Sequence, residues 1–375
     1  MKVTCVGCSC LCDDVIVEVE DKITVKHACR IGSSIFLNYN KARVTPMIEG
    51  NPVDFDEALS KAIDIVKDAK GLAIYGLDYT TIEAQKVAVD IVRKVNGYIK
   101  NSSELWDLAK LVDVLKTTTL ENVKDYAYGI IYWGVDVHNS MPRHMARYSY
   151  YPRGKKTQRG YEDRYLVVID VRRSHTAMLV KRNARFIEVK DDLKLVEEFM
   201  NALDGRSSNN DVMEVVKNIR KSDFNVIFGG AGLKLGLKNG LDKFVEMVKK
   251  MDAYFIPIDP KPNAMGFYKI VGSGDSFVDL LKKDEIDTVI VVGVDALEFL
   301  PFDIARKLAK INTIVISAKR TFTAEIAKVV IPSSIPGVEC GGTMIRHDGV
   351  EVKLRPPFKS EYDDVKILRK IEEEL

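Results

Sequence analysis

Short runs of uninterrupted apolar residues recur along this chain, and helical stretches of 10–20 residues separate most of them. No other feature narrows its possible folds as much. The runs are Gly71 to Gly76, Tyr128 to Trp133, Tyr165 to Asp170, Asn225 to Phe228, Tyr254 to Ile258, Thr288 to Val292 and Thr313 to Ser317. A strand that is apolar on both faces must be covered on both faces. Strands alternating with helices pair in parallel, so the pattern predicts doubly wound α/β sheets. Asp54-Phe55-Asp56-Glu57 has the form of a capping box, followed by apolar positions Ala58, Leu59, Ala62, Ile63 and Val66 at helical spacing. Thr80-Thr81-Ile82-Glu83 caps a second helix running to about Val95. No internal repeat and no low-complexity segment is visible.

Composition excludes several function classes. The 56 basic and 54 acidic residues leave a net charge of +2, and no Lys/Arg run is long, so a nucleic-acid partner is not expected. No apolar stretch reaches the ~18–20 residues that span a bilayer, so membrane insertion is not expected either. Met1 to Cys5 lacks a signal peptide's apolar region, which predicts a cytoplasmic protein whose thiols stay reduced.

Five of the six cysteines lie within the first 29 residues. Cys5, Cys8 and Cys12 form C-x2-C-x3-C, and Cys29 follows 17 residues later. Val15 to Glu20 and Ile23 to His27 read as a hairpin that returns Cys29 beside Cys12. Four thiolates from one tight loop and one returning segment suit a [4Fe–4S] cluster, whose corner irons each take one sulfur. Structural zinc also takes four cysteines, usually as two C-x2-C knuckles, and the second knuckle is missing here. Cys10 leaves five thiols for four places; alternating with Cys8 and Cys12, it is expected to point away as a small buried hydrophobe.

In doubly wound sheets ligands bind at the carboxyl ends of the strands. Suggestive loops stand there at Trp133-Gly134, Asp170 to Arg173, Gly229-Gly230-Ala231-Gly232 and Gly293-Val294-Asp295. None is a nucleotide fingerprint, and each singly reads as an ordinary tight turn. Together, behind a cluster loop, they suggest a large phosphate-bearing cofactor.

This arrangement looks like the molybdopterin oxidoreductases. Tyr132-Trp133-Gly134-Val135-Asp136-Val137, then Pro142 to Ser149, then Pro152-Arg153-Gly154, resembles the B subunit of archaeal formylmethanofuran dehydrogenase. Asp163-Arg164, Val168 to Ala177, and Gly341-Gly342-Thr343 through to Arg355 match the same family. The resemblance implies molybdopterin guanine dinucleotide carrying tungsten or molybdenum, carbon dioxide/formate chemistry, and electron transfer through the cluster. It implies a multisubunit oxidoreductase in which a separate small barrel subunit covers the pterin. By position, Trp133, Gly134 and Asp136 would border the dinucleotide, with Asp170, Arg172 and Thr176 near a guanine or ribose. Arg143, Arg147 and Arg153 would clamp pyrophosphate, or else form surface ion pairs. His144 would bond a phosphate or cap a turn. The expected domains are 1–50 for the cluster, 51–110 with 215–350 as a discontinuous pterin-binding α/β domain, 111–214 as a second α/β domain, and 351–375 as a tail helix.

The chain departs from the family where the metal would be held. The loop Asn101 to Leu108 contains neither cysteine nor histidine, leaving Ser102, Ser103 or Asp107 as candidate oxygen ligands. Where the family has an arginine after the Ile-Pro strand, Asp259 stands and would repel a formate anion. Asp136 and Val137 replace the family's usual Asn and Pro. Three readings follow: an oxidoreductase subunit with an altered site, a non-catalytic paralogue binding cluster or pterin for electron relay or assembly, and a cluster-only electron-transfer module.

Overall fold

The computed structural model describes residues 1–103, 105–179, 183–272 and 276–375. They form two compact units: residues 1–103, 261–346 and 351–375 make the first, and residues 104–260 and 347–350 the second.

The first unit is built on a seven-stranded sheet. Its order is Asn51–Pro52, Met47–Ile48, Val329–Pro332, Asn312–Ser317, Thr288–Val292, Leu72–Gly76 and Tyr98–Lys100. The last five are mutually parallel, and only the short hairpin at the Met47 edge runs antiparallel. The parallel part of the sheet starts with Leu72–Gly76, and the winding direction changes between that strand and Thr288–Val292, the kind of position where such sheets bind ligands at their carboxyl ends. Helix Ile82–Lys94 begins where expected, because the Thr81 hydroxyl accepts from the Ala84 N–H at 3.3 Å. Asp54 stands at the N-cap of helix Phe55–Lys67 without making a side-chain cap bond, so the capping box there is one of sequence only.

The second unit carries a five-stranded parallel sheet ordered Ala184–Glu188, Tyr165–Asp170, Gly129–Trp133, Asn225–Gly229 and Tyr254–Pro257. The expected apolar runs supply four of these strands. The division of the chain differs from the one expected. Strands Asn225–Gly229 and Tyr254–Pro257 complete the second sheet rather than the first, so the boundary falls near residue 260, not at 214. The N-terminal 50 residues and the tail, including helix Asp364–Glu373, are counted within the first unit. Among the described residues no helix is long and apolar enough to cross a membrane.

Candidate functional site

Strands Val15–Val19 and Ile23–Lys26 pair antiparallel, Ile16 opposite Lys26, as the hairpin reading required. Cys29 follows at the N-cap of helix Arg30–Leu37. The cysteine loop is tied by two backbone bonds, Cys5 N–H to the Cys12 carbonyl at 2.8 Å and Leu11 N–H to the Cys8 carbonyl at 3.1 Å. Burial pushes the Cys5 thiol up and the Gly7 N–H, 3.4 Å from its sulfur, pulls it back; Cys12, Cys8 and Cys29 each act on it as well. Four sulfurs therefore share one neighbourhood. A Cβ on Gly32 would come within 2.8 Å of the Cys5 sulfur and 4.0 Å of the Cys29 sulfur, so glycine leaves them their space. Cys10 is fully buried, as expected, but it does not point away: its thiol hydrogen-bonds with Cys12 and Cys8. None of the six cysteines is in a disulfide. Among the described residues no three Cys, His, Asp or Glu side chains stand ready as the shell of a metal ion.

A cavity of about 460 Å³ opens at the carboxyl ends of the first sheet, lined by Val6 and Ile35 of the cysteine segment and by Tyr79, Asp295, Lys319 and Asp364. Lys319 fastens that segment: its ammonium donates to the carbonyls of Asn38, Tyr39 and Lys41 at 2.6, 2.7 and 2.5 Å. Burial, with Arg43 nearby, pulls the Lys319 ammonium below its ordinary range despite Glu339. Asp364 also lines a second cavity of about 360 Å³, together with Cys340, Lys366 and Arg369. Burial pushes the Asp364 carboxyl up to about 7 against a hydrogen bond with Ser333, and Asp363 adds to the rise.

The two units repeat one strand-end device that the sequence reading missed. In the second unit Gly134, at φ +63°, donates to the Ile169 carbonyl at 2.8 Å. Asp136 Oδ1 then accepts from the Thr176 N–H at 3.1 Å and the Thr176 hydroxyl at 2.7 Å. In the first unit Gly293, at φ +71°, donates to the Ile316 carbonyl at 3.0 Å, and Asp295 Oδ1 accepts from the Thr323 N–H at 3.1 Å and its hydroxyl at 2.6 Å. The sequence signal was present: Gly-Val-Asp occurs at 134–136 and 293–295, and Ser174-His175-Thr176-Ala177 parallels Thr321-Phe322-Thr323-Ala324. Burial opposes the charge on Asp136, but bonds from Thr176 and Asn139 outweigh it and hold the carboxyl below its usual range.

The other expected residues separate. Trp133 lies in the core rather than beside a pocket: its ring packs on Phe199 and Phe244, and its Nε1 donates to Asp192 Oδ1 at 2.6 Å. Gly134 and Gly232 interlock, with Gly232 N–H on the Gly134 carbonyl at 2.9 Å, so this glycine pair serves backbone packing. His144 is buried, with Nδ1 2.9 Å from the Tyr132 hydroxyl. Arg143 and Arg147 are half-buried, Arg147 over the Tyr148 ring, while Arg153 and Arg172 are exposed. Asp170 accepts from its neighbour Val171 N–H at 2.8 Å. The family-like Pro142–Gly154 segment is organised by Arg164, which the sequence reading matched to the family without giving it a role. That guanidinium is fully buried and donates to the Ser149, Lys124 and Pro152 carbonyls and to Thr157, and burial lowers it to about 10.

The oxygen-ligand candidates are engaged elsewhere or turned outward. Ser102 gives both its N–H, at 2.8 Å, and its hydroxyl, at 2.7 Å, to the fully buried Asp78, which Asn101 also contacts at 2.8 Å. Ser103 is buried, whereas Asp107 is exposed beside Lys110 at 3.2 Å. A cation does reach this loop: Lys261 donates to the Ser102 carbonyl at 2.6 Å and lies over the Phe299 ring.

Fold and site together define a two-unit α/β protein with a buried four-thiol loop and a duplicated strand-end clamp. No protein-family model matches the chain. It is 29% identical, over 94% of its length and 92% of the relative's, to the B subunit of tungsten-containing formylmethanofuran dehydrogenase 2 of Methanocaldococcus jannaschii. It is 28% identical to the protein of the same name from Methanococcus maripaludis, over 96% and 94% of the two chains. The resemblance read from the sequence thus holds along nearly the whole chain, which is a relative of the formylmethanofuran dehydrogenase B subunit. A chain of the formyltransferase/hydrolase complex of Methylorubrum extorquens, solved with methylofuran, shares the fold at a TM-score of 0.70, 15% identity, and 88% and 98% coverage.

Proposed function

We propose that this chain is an oxidoreductase subunit of the formylmethanofuran dehydrogenase type, carrying a [4Fe–4S] cluster on Cys5, Cys8, Cys12 and Cys29. The observation that carries this reading is the shared neighbourhood of those four thiols, with Gly32 leaving room for their sulfurs. The donor set fits: thiolates are the usual ligands of such a cluster, and a backbone N–H already serves Cys5. The cluster supplies one-electron transfer when bound. The chain's part is to hold the sulfurs, exclude water from three of them and bring Val6 and Ile35 to the adjoining cavity.

That cavity, at about 460 Å³, is of a size to take one end of a pterin guanine dinucleotide. The repeated Asp–Thr clamp gives each unit an equivalent strand-end platform, so two such cofactors are the natural complement. Asp136 and Asp295 hold the loops in shape while backbone groups of those loops meet the ligand. A small partner protein covering the pterin is part of the same reading.

The residues do not fit a thiolate-held tungsten or molybdenum. No cysteine lies in the 101–108 loop, and the Ser102 hydroxyl is donated to Asp78. This favours a second reading, a paralogue that relays electrons or assists assembly without carbon dioxide/formate turnover. Iron, sulfide, pterin and metal analysis of anaerobically purified protein separates the readings. Four irons per chain, lost on Cys8→Ser, support the cluster, and stoichiometric zinc without iron refutes it. Pterin with little or no tungsten or molybdenum supports the non-catalytic reading; viologen-coupled formate oxidation at family-like rates overturns it.

A further inference from the structure

Cys10 is the thiol that the cluster reading leaves without a task. The turn closed by Leu11 N–H on the Cys8 carbonyl, with Leu11 at φ +40°, folds Cys10 inward instead of out. It is fully buried, and its sulfur stands within hydrogen-bonding reach of both Cys12 and Cys8. Cys8 and Cys12 are themselves 7% and 5% exposed, so water has little access to their sulfurs. Once those two are cluster ligands they are thiolates, which only accept hydrogen bonds. Cys10 is then the one member of the trio that carries a hydrogen.

We infer that Cys10 is a positioning residue for the cluster, donating its S–H to the Cys8 and Cys12 thiolates and raising the cluster's reduction potential. The inference rests on the cluster reading above. Reduction adds an electron whose charge spreads onto the ligand sulfurs, and a donor aimed at them stabilises the reduced form. A thiol is a weak donor in water, but in a dry pocket it has no competitor and gains strength. The Gly7 N–H performs the same service for Cys5 at 3.4 Å. Cys29, half-buried at the N-cap of its helix, is the least enclosed of the four.

The test is an EPR-monitored redox titration of the full chain, purified anaerobically, as wild type, Cys10→Ala and Cys10→Ser, with iron and sulfide determined on each. Equal iron in all three, a lower midpoint potential in Cys10→Ala and a midpoint held at or above wild type in Cys10→Ser support the inference, because serine restores a donor. Equal midpoints in all three, or equal depressions in both variants, overturn it: the first shows no donor effect, the second only a packing effect. Loss of iron from Cys10→Ala also overturns it, by making Cys10 a ligand. Iron absent from wild type defeats the cluster reading itself, a result distinct from iron present with an unmoved potential.

Discussion

Replacing Asp364 by asparagine should make the first unit more stable at alkaline pH than at acidic pH, relative to the natural chain. Asp364 is 5% exposed at the start of helix Asp364–Glu373, and its Oδ1 is buried without a hydrogen-bond partner. Its carboxyl titrates at about 7 in the folded state, against ~3.9 when unfolded. The folded chain therefore holds a proton that the unfolded chain releases. Below about pH 4 both states are neutral and no penalty exists; it grows as pH rises and is complete above about 7. Three units of displacement correspond to about 4 kcal/mol as an upper bound, of which about 1.5 kcal/mol has accrued by pH 5. Asparagine keeps the shape and cannot ionise, so the stability difference between variant and natural chain should shift by about 2–3 kcal/mol in the variant's favour from pH 5 to pH 8. Urea denaturation followed by far-ultraviolet circular dichroism reads it. Both tryptophans, Trp106 and Trp133, belong to the second unit, so indole fluorescence provides an internal reference. A difference that stays flat between pH 5 and pH 8 would refute the reasoning.

Thr176→Val and Thr323→Val each remove one hydroxyl from a matched carboxylate, and each should cost its own unit about 1–2 kcal/mol, with only Thr176→Val moving the fluorescence transition. Arg164→Met strips donors from three carbonyls and Thr157 and should cost about 3–5 kcal/mol, seen as a collapse in soluble folded protein, whereas a near-neutral result would mean that those acceptors find water. Trp133→Phe leaves the Asp192 carboxylate, already pushed up by burial, without its indole donor. Its cost of about 1–3 kcal/mol with the carboxylate ionised should shrink as pH falls, because the raised Asp192 carboxyl takes up its proton sooner than an ordinary one.

Continuous apolar strands announced themselves because burial on both faces leaves no room for polar alternation. Ala184–Glu188, an edge strand with Arg185 and Glu188, escaped notice for the opposite reason. Which sheet a strand joins was not legible: Asn225–Gly229 and Thr288–Val292 look alike in composition, and their pairing depends on partners far away in the chain. The duplicated clamp was hidden by spacing, since aspartate and threonine are 40 residues apart in one copy and 28 in the other. Trp133 was set beside the dinucleotide by its place in the family-like segment, whereas its indole packs inward on Phe199 and Phe244 and donates to Asp192. The hairpin between the cysteines was legible because its constraint is local.

The thiol segment is held by groups made late in synthesis. Lys319 fastens the residues after its helix, Arg43 pairs with Glu339 at 2.8 Å, and the Thr4 hydroxyl donates to the Lys353 carbonyl at 3.3 Å. A ribosome emits the cysteines first and their anchors last. The nascent thiols therefore spend most of translation without a finished enclosure. Alkylation of Cys5 and Cys8 in stalled chains should remain fast until residues 319–353 have emerged, then slow sharply as the enclosure forms.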